Sequence, residues 1–319
     1  MQEFELINKY FSSLSKLNKS ALKLNDDVFY DKKNHLVISV DTYNEGNHFL
    51  DFKNPELVIK KIIRSSISDL ICKGVYPKFY FISGSGNKIK FSKNNLLKIS
   101  KSLSQEQKKY KIFLSGGDTT FSNKLSFTIT SLGYSKKIIY RNKAKLYDDI
   151  YVTGNLGDSF LGLQILKKKI KVNKKLSNFF IRKYYLPDLK LKLTKYLIKI
   201  ANTSIDISDG LIDDLNKMLN RQNLSFYIFE KKIPISKPLN QLIQNKKMKK
   251  INIISNGDDY QVLFTADSKK SRIIRAISRS TGIKISKIGK IISGKNRSQI
   301  IDEKGRQIVP KHNGYLHQF

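Results

Sequence analysis

A chain of 319 residues has room for two domains of ordinary size, and its lone Cys72 excludes both an intrachain disulfide and a thiolate metal site. The N-terminal MQEFELINKYF lacks a signal-peptide apolar core, and no apolar run approaches the ~20 residues of a membrane span, so a soluble cytoplasmic protein with no membrane partner is expected. The formal charge of +34 comes from lysines scattered in runs such as 167–175 and 245–250, which do not alternate with aromatics as a base-stacking surface would; they read as solvated faces, with no specific nucleic-acid partner.

In chain order, Asp26-Asp27 falls on a turn, and HLVISVD (35–41) has the β-branched enrichment of a strand that delivers Asp41 to its C-terminal end. Asn54-Pro55 opens a helix, Asn as cap and Pro in the first turn. Its apolar positions Leu57, Val58, Ile62 and Ile63 keep a helical period toward Leu70 and Ile71. Asp69 therefore sits near the end of a largely buried helix, where a carboxylate is costly without a partner. KIFLS (111–115) reads as a strand running into a loop at Gly116-Gly117-Asp118, and 125–134 as another strand.

The organisation changes around Tyr140, which sets the domains at 1–140 and 141–319. DIYVTG (149–154) reads as a strand, and 155–158 as the turn into a helix containing Phe160, Leu163 and Leu166. SIDIS (204–208) is a strand leading to a helix with Leu211, Leu215, Met218 and Leu219 on one face, for which Ser208 is the expected N-cap. A polar loop at NGDDY (256–260) feeds another strand ending near Thr265.

With 26 Asp+Glu against 60 Lys+Arg, the placing of aspartates among Ser, Thr and Gly stands out in LNDDVFY, ISVDTYNEGNHF, SSISDLICKG, LSGGDTT and SIDISDGL. Hard cations take oxygen ligands, and Mg²⁺ usually bridges a few carboxylates to substrate phosphates. Asp26-Asp27 alone reads as a solvated turn or helix cap sooner than as a metal site. Asp41 has Ser39 and backbone carbonyls beside it as further oxygen ligands. Glycines at 116 and 117 let backbone N–H groups approach phosphate, although a structural turn has the same sequence. Asp206 and Asp209 flank Ser208 where a helix start favours phosphate. Arg141 is either a phosphate clamp or a surface arginine, and His48 either a ligand or a packed histidine. The GxxxxGK[ST], GxGxxG and protein-kinase signatures are absent. Taken together, the segments point to an ATP-using enzyme.

The order of these segments resembles the thiamine-monophosphate kinase family. The likeness runs from EFELINKYF through DDVFY, SVDTYNEGNHF, SDLICKGVYP and GGDTT to R-x-x-A-K at 141–145, IYVTGNLGDS, IDISDGL, NGDDYQVLFT and the closing NGYLHQF. The family belongs to the aminoimidazole ribonucleotide synthetase-like ATP-binding superfamily. The resemblance implies an α/β (α+β) fold of two domains, the N-terminal one pairing with its twin in a homodimer. It implies Mg²⁺-dependent, direct in-line transfer of the ATP γ-phosphate to thiamine monophosphate, giving thiamine diphosphate and ADP, with no covalent nucleophile. By the family pattern Asp27, Ser39, Val40, Asp41, Asp69, Asp118, Asp206 and Asp209 contact several Mg²⁺ ions. Gly117, Asp118, Arg141 and Ser208 contact ATP, and His48, Asp258 and Tyr315 hold thiamine phosphate.

Three segments depart from that pattern. Val40 stands where Thr is usual, so a metal contact there comes from its backbone carbonyl. Gly257-Asp258-Asp259-Tyr260 replaces Gly-Glu-Asp-Tyr, and Lys145-Leu146-Tyr147-Asp148 replaces a Lys-Pro-Gly-Asp turn. Among rivals, a selenophosphate synthetase wants a reactive N-terminal Cys and a hydrogenase-maturation relative a C-terminal one, and this chain has neither. A purine-pathway synthetase is not supported by EGNHF or NGDDYQ. A nucleic-acid-binding protein leaves the aspartates unexplained, since carboxylates repel a phosphate backbone.

Overall fold

The computed structural model describes residues 3–246 and 248–315; the last four residues of the NGYLHQF motif lie outside them. After a short helix α1 (Glu3–Leu6) and irregular helical turns, the first half builds a five-stranded sheet from β1 (Phe29–Asp31), β2 (Leu36–Asn44), β3 (Pro77–Gly86), β4 (Phe113–Phe121) and β5 (Ser126–Tyr134). Its strand order is β1-β2-β5-β3-β4, with only β3 and β4 parallel. Helix α2 (Pro55–Cys72) crosses one face and packs against α3 (Lys93–Tyr110). The alternation of β2 puts Val37, Ser39 and Tyr43 under α2 and turns Val40 and Thr42 to the other face.

The second half builds a six-stranded sheet in the order β11-β8-β10-β6-β9-β7. In chain order its elements are β6 (Asp149–Thr153), α4 (Asp158–Leu166), α5 (Lys174–Tyr185), α6 (Thr194–Ile200), β7 (Thr203–Asp206), α7 (Leu211–Leu219) and β8 (Leu224–Phe229). They continue with α8 (Lys237–Lys246), α9 (Lys250–Ile254), β9 (Val262–Ala266), α10 (Ser271–Thr281), β10 (Ile285–Ser293) and β11 (Gln299–Ile301). Pairings are antiparallel except β11 with β8. The result is a mixed α/β (α+β) protein.

Helix α2 joins the two sheets. It carries an apolar stripe, as its period predicts, yet it also packs on β7, α5 and α6, so Ile59, Ile63 and Ile67 share one core with Tyr184, Leu197 and Phe264. Enclosure on several sides traps polar residues of the helix, and Lys61, Arg64, Ser65 and Ser66 have each found a partner. The Arg64 guanidinium forks onto Glu106 of α3 at 2.8 and 2.9 Å and donates to the Pro187 carbonyl.

Two local expectations are corrected. Gly116-Gly117-Asp118 is not a strand-to-loop junction; it lies inside β4, which continues to Phe121 alongside β3. A Cβ at Gly117 would sit 1.8 Å from the Ile82 carbonyl oxygen, so glycine here serves close strand approach. Nor does Ser208 cap α7. The chain turns at Gly210 (φ +134°), the helix starts at Leu211, and the Asp214 carboxylate accepts the N–H groups of Asp209 and Gly210 at 3.1 and 3.0 Å.

Candidate active site

Asp69, in the last turn of α2, reaches toward β2, where the Ser39 hydroxyl donates to its Oδ2 at 2.5 Å. Because α2 also packs on β7, Asp206 at the end of that strand is held in the same place. Burial pushes the Asp69 carboxyl well above the usual carboxylate range, and Asp41 and Asp206 push it further. Asp206 is likewise raised by burial, against the opposing pull of a Ser68 hydrogen bond and of Arg141 and Lys73. Buried acids crowding one another in this way call for a cation among them, and their all-oxygen donor set fits Mg²⁺.

Asp26 and Asp27 are not the solvated turn that their local sequence suggests. Their side chains are almost fully buried, with the Lys73 ammonium 2.7 Å from Asp26 and 2.6 Å from Asp27. The Arg141 guanidinium is ion-paired with Asp27, and the Arg141 N–H donates to Asp26 at 2.9 Å. Arg141 is thus a buried partner of the aspartate pair rather than a surface residue, and burial lowers its pKa.

Asp209 follows the same loop and is ion-paired with Lys217, which also holds Asp213 at 2.9 Å. Carboxylate oxygens of Asp209, Asp213 and Asp214 lie within 4.8 Å of one another. Asp213, Asp214 and Lys217 were missed in the sequence; the available signal was a second acid pair, LIDDL, directly after SIDISDG in an acid-poor chain.

The expected substrate residues form a second group. The Asp258 carboxylate is ion-paired with Lys61 of α2, whose ammonium also donates to the Tyr184 carbonyl at 3.3 Å and lies 3.9 Å from that ring's centre. The Tyr184 hydroxyl in turn donates to the His48 carbonyl at 3.5 Å, while His48 Nδ1 accepts the Asn44 N–H at 3.0 Å. Lys61 and Tyr184 thereby connect His48 to Asp258, a role for Lys61 that its place in an apolar helix hid. The loop is seated by Asp258 N–H on the Ser208 carbonyl (2.7 Å), and Asp259 instead accepts the Gly157 N–H at 2.8 Å. The Tyr315 N–H donates to the Asp209 carbonyl at 2.9 Å, which carries the tail to this region.

Two expected residues, Gly117 and Asp118, are not gathered in. Asp118 is exposed on edge strand β4, in register with Ser83, Thr128 and Thr42. Three inter-strand steps separate it from β2, roughly 14 Å at the usual spacing. Val40 turns its side chain, 60% exposed, to that same outer face, while its backbone stays in β2 between Ser39 and Asp41.

Matching family models describe AIR synthase related protein, the N-terminal domain over residues 24–135 and the C-terminal domain over 148–301. The thiamine-monophosphate kinase of Buchnera aphidicola from Acyrthosiphon pisum is 36% identical over 326 aligned positions, covering 99% of this chain and 98% of that one. The chain belongs to the thiamine-monophosphate kinase family. The Haemophilus influenzae member is 33% identical, with 91% and 89% of the two chains covered. Among solved structures, AaThiL complexed with AMPPCP and TMP superposes with a TM-score of 0.84 at 27% identity, covering 99% of this chain and 97% of that one. Membership places the chain among ATP-dependent kinases of thiamine biosynthesis. Among the described residues no helix is long and apolar enough to cross a membrane.

Proposed function

We propose that this protein transfers the γ-phosphate of ATP to thiamine monophosphate, forming thiamine diphosphate and ADP, with Mg²⁺ held by its aspartates. The observation that carries the reading is the meeting of Asp41, Asp69 and Asp206, three acids from distant segments, in one buried place. The full-length likeness to a kinase complexed with an ATP analogue and TMP supports it.

Ser39, Asp41, Asp69, Asp206 and Asp209 are the metal-holding residues of this reading, with the Val40 carbonyl beside them. Bound Mg²⁺ supplies charge neutralisation between two polyanions during in-line attack. The acceptor is a phosphate oxygen, so no strong general base is needed. Cys72 lies beside Asp69 but is no nucleophile: its thiol donates to the Asp69 carbonyl at 3.1 Å, and burial holds its pKa well up. Arg141 and Ser208 contact ATP, joined by Gly117 from a second copy, while His48, Asp258 and Tyr315 orient thiamine monophosphate.

Gly117 and Asp118 reach such a site only from a second copy. The outer face of the first sheet exposes Val40, Phe81 and Phe113, an apolar surface with the character of an interface. A homodimer closed over this face covers it and gives the edge strand β4 a neighbour. The two domains meet between residues 140 and 141, and use of ATP assigns the work to the cytoplasm.

The test is acceptor specificity with ATP labelled at the γ-phosphate. Label in thiamine diphosphate from thiamine monophosphate, and none transferred to unphosphorylated thiamine, is the expected result. Equal labelling of unrelated phosphate acceptors would overturn the reading.

A further inference from the structure

Lys73 is the C-cap residue of α2 and is fully buried. Its ammonium has three N–H donors and meets three oxygens: Asp26 Oδ1 at 2.7 Å, Asp27 Oδ2 at 2.6 Å and the Ser204 carbonyl at 3.0 Å. The remaining carboxylate oxygens are also taken. Asp26 Oδ2 accepts the Arg141 N–H, and Asp27 Oδ1 pairs with the Arg141 guanidinium, whose Nε also lies 3.1 Å from Asp27 Oδ2.

All four oxygens of the Asp26–Asp27 pair are thus held by donors of the chain itself, and two negative charges face two positive ones. The spacing suits an ammonium: its oxygens stand 2.6–3.0 Å away, whereas Mg²⁺ draws oxygens to about 2.0–2.1 Å. A divalent ion on Asp27 would also lie against the Lys73 charge in a region with little water to screen it. Asp69 differs in its contacts: its hydrogen-bond partner is the neutral Ser39 hydroxyl, and the Lys73 charge acts on it through space rather than as a bonded ion pair.

We propose that the Lys73 ammonium is a tethered cation occupying the place a divalent ion would take on the Asp26–Asp27 pair. In this chain Asp27 is then not a metal ligand, contrary to the family pattern, and divalent ions gather on the Asp41, Asp69 and Asp206 side. The inference rests on the proposed function only in treating these aspartates as a divalent-cation centre.

The test counts Mn²⁺ bound per chain by equilibrium dialysis of the nucleotide-free, full-length protein, beside Lys73→Met, which keeps an unbranched side chain one atom shorter and removes its charge. The proposal expects one more Mn²⁺ per chain in K73M than in the unaltered protein; an unchanged or smaller number overturns it. Should K73M not fold, crystals of the unaltered protein soaked in Mn²⁺ decide by anomalous diffraction. No peak within bonding distance of Asp27, with Lys73 in place, supports the proposal, and a peak there overturns it. The same dialysis on Asp69→Asn separates the two readings: loss of Mn²⁺ supports the centre at Asp69, whatever K73M shows.

Discussion

The Lys61 ammonium, 1% exposed in the middle of α2, is ion-paired with the Asp258 carboxylate 197 residues further along the chain. Desolvation lowers the Lys61 pKa and the Asp258 charge pulls it back, so the two residues depend on one another. Asp258→Asn removes the counter-ion and strands the ammonium. Breaking a buried pair from one side costs about 3–5 kcal/mol, and the lower end applies because Asp258 is 24% exposed. Lys61→Met, which leaves no buried charge, is expected to cost clearly less by urea unfolding. Since Lys61 connects Asp258 with Tyr184 and His48, K61M should still raise the KM for thiamine monophosphate more than that for ATP.

Gly257 fixes where that carboxylate stands. A Cβ there would come within 1.7 Å of the Ser208 carbonyl oxygen, which accepts the Asp258 N–H. Gly257→Ala must therefore push the 256–260 loop from the 206–210 loop. The expected result is at least a tenfold fall in kcat/KM for thiamine monophosphate, about 1.4 kcal/mol of lost transition-state binding. Unchanged steady-state kinetics would show that the close approach is not needed.

Asp158, in the first turn of α4, supplies a pH signature away from the reacting groups. Burial raises its pKa to about 6, against the pull of the Ser236 hydroxyl at 2.6 Å. The folded protein thus holds this proton where the unfolded chain has released it. Stability from this group is fully present below about pH 4 and is lost as pH rises through about 6. Asp158→Asn keeps the Ser236 contact without the charge. It should raise the melting temperature relative to the unaltered protein at pH 7 and give no such gain at pH 4, a difference of up to about 3 kcal/mol.

Arg64 and Glu106 offer a double-mutant cycle remote from the site. Glu106→Gln leaves the guanidinium without its bidentate partner and should cost about 3–5 kcal/mol, whereas Arg64→Met with Glu106→Leu together should cost much less. Additive losses in urea unfolding would contradict the pairing.

Much of this fold was legible because periodicity records it. The β-branched enrichment of 35–41 announces β2, and the spacing of Leu57, Val58, Ile62 and Ile63 announces α2, so Asp41 and Asp69 could be placed near element ends. What periodicity cannot record is who sits opposite. Nothing in the local sequence of this lysine-rich chain marked Lys61 or Lys73, and only the packing of α2 between two sheets buries them against acids far away in sequence. Glycine pairs suggest turns, so Gly116-Gly117 read as a loop although β4 needs them to lie close to β3. Strand order is equally silent in the sequence, and it is strand order that separates Asp118 from Asp41.

The most direct measurement is steady-state formation of thiamine diphosphate from thiamine monophosphate and ATP across a Mg²⁺ titration, with Asp69→Asn alongside. The account predicts Mg²⁺-dependent turnover in the unaltered protein and a fall of at least a hundredfold, about 2.7 kcal/mol, in a folded D69N. Turnover that persists without Mg²⁺, or a D69N variant that retains full rate, would contradict it.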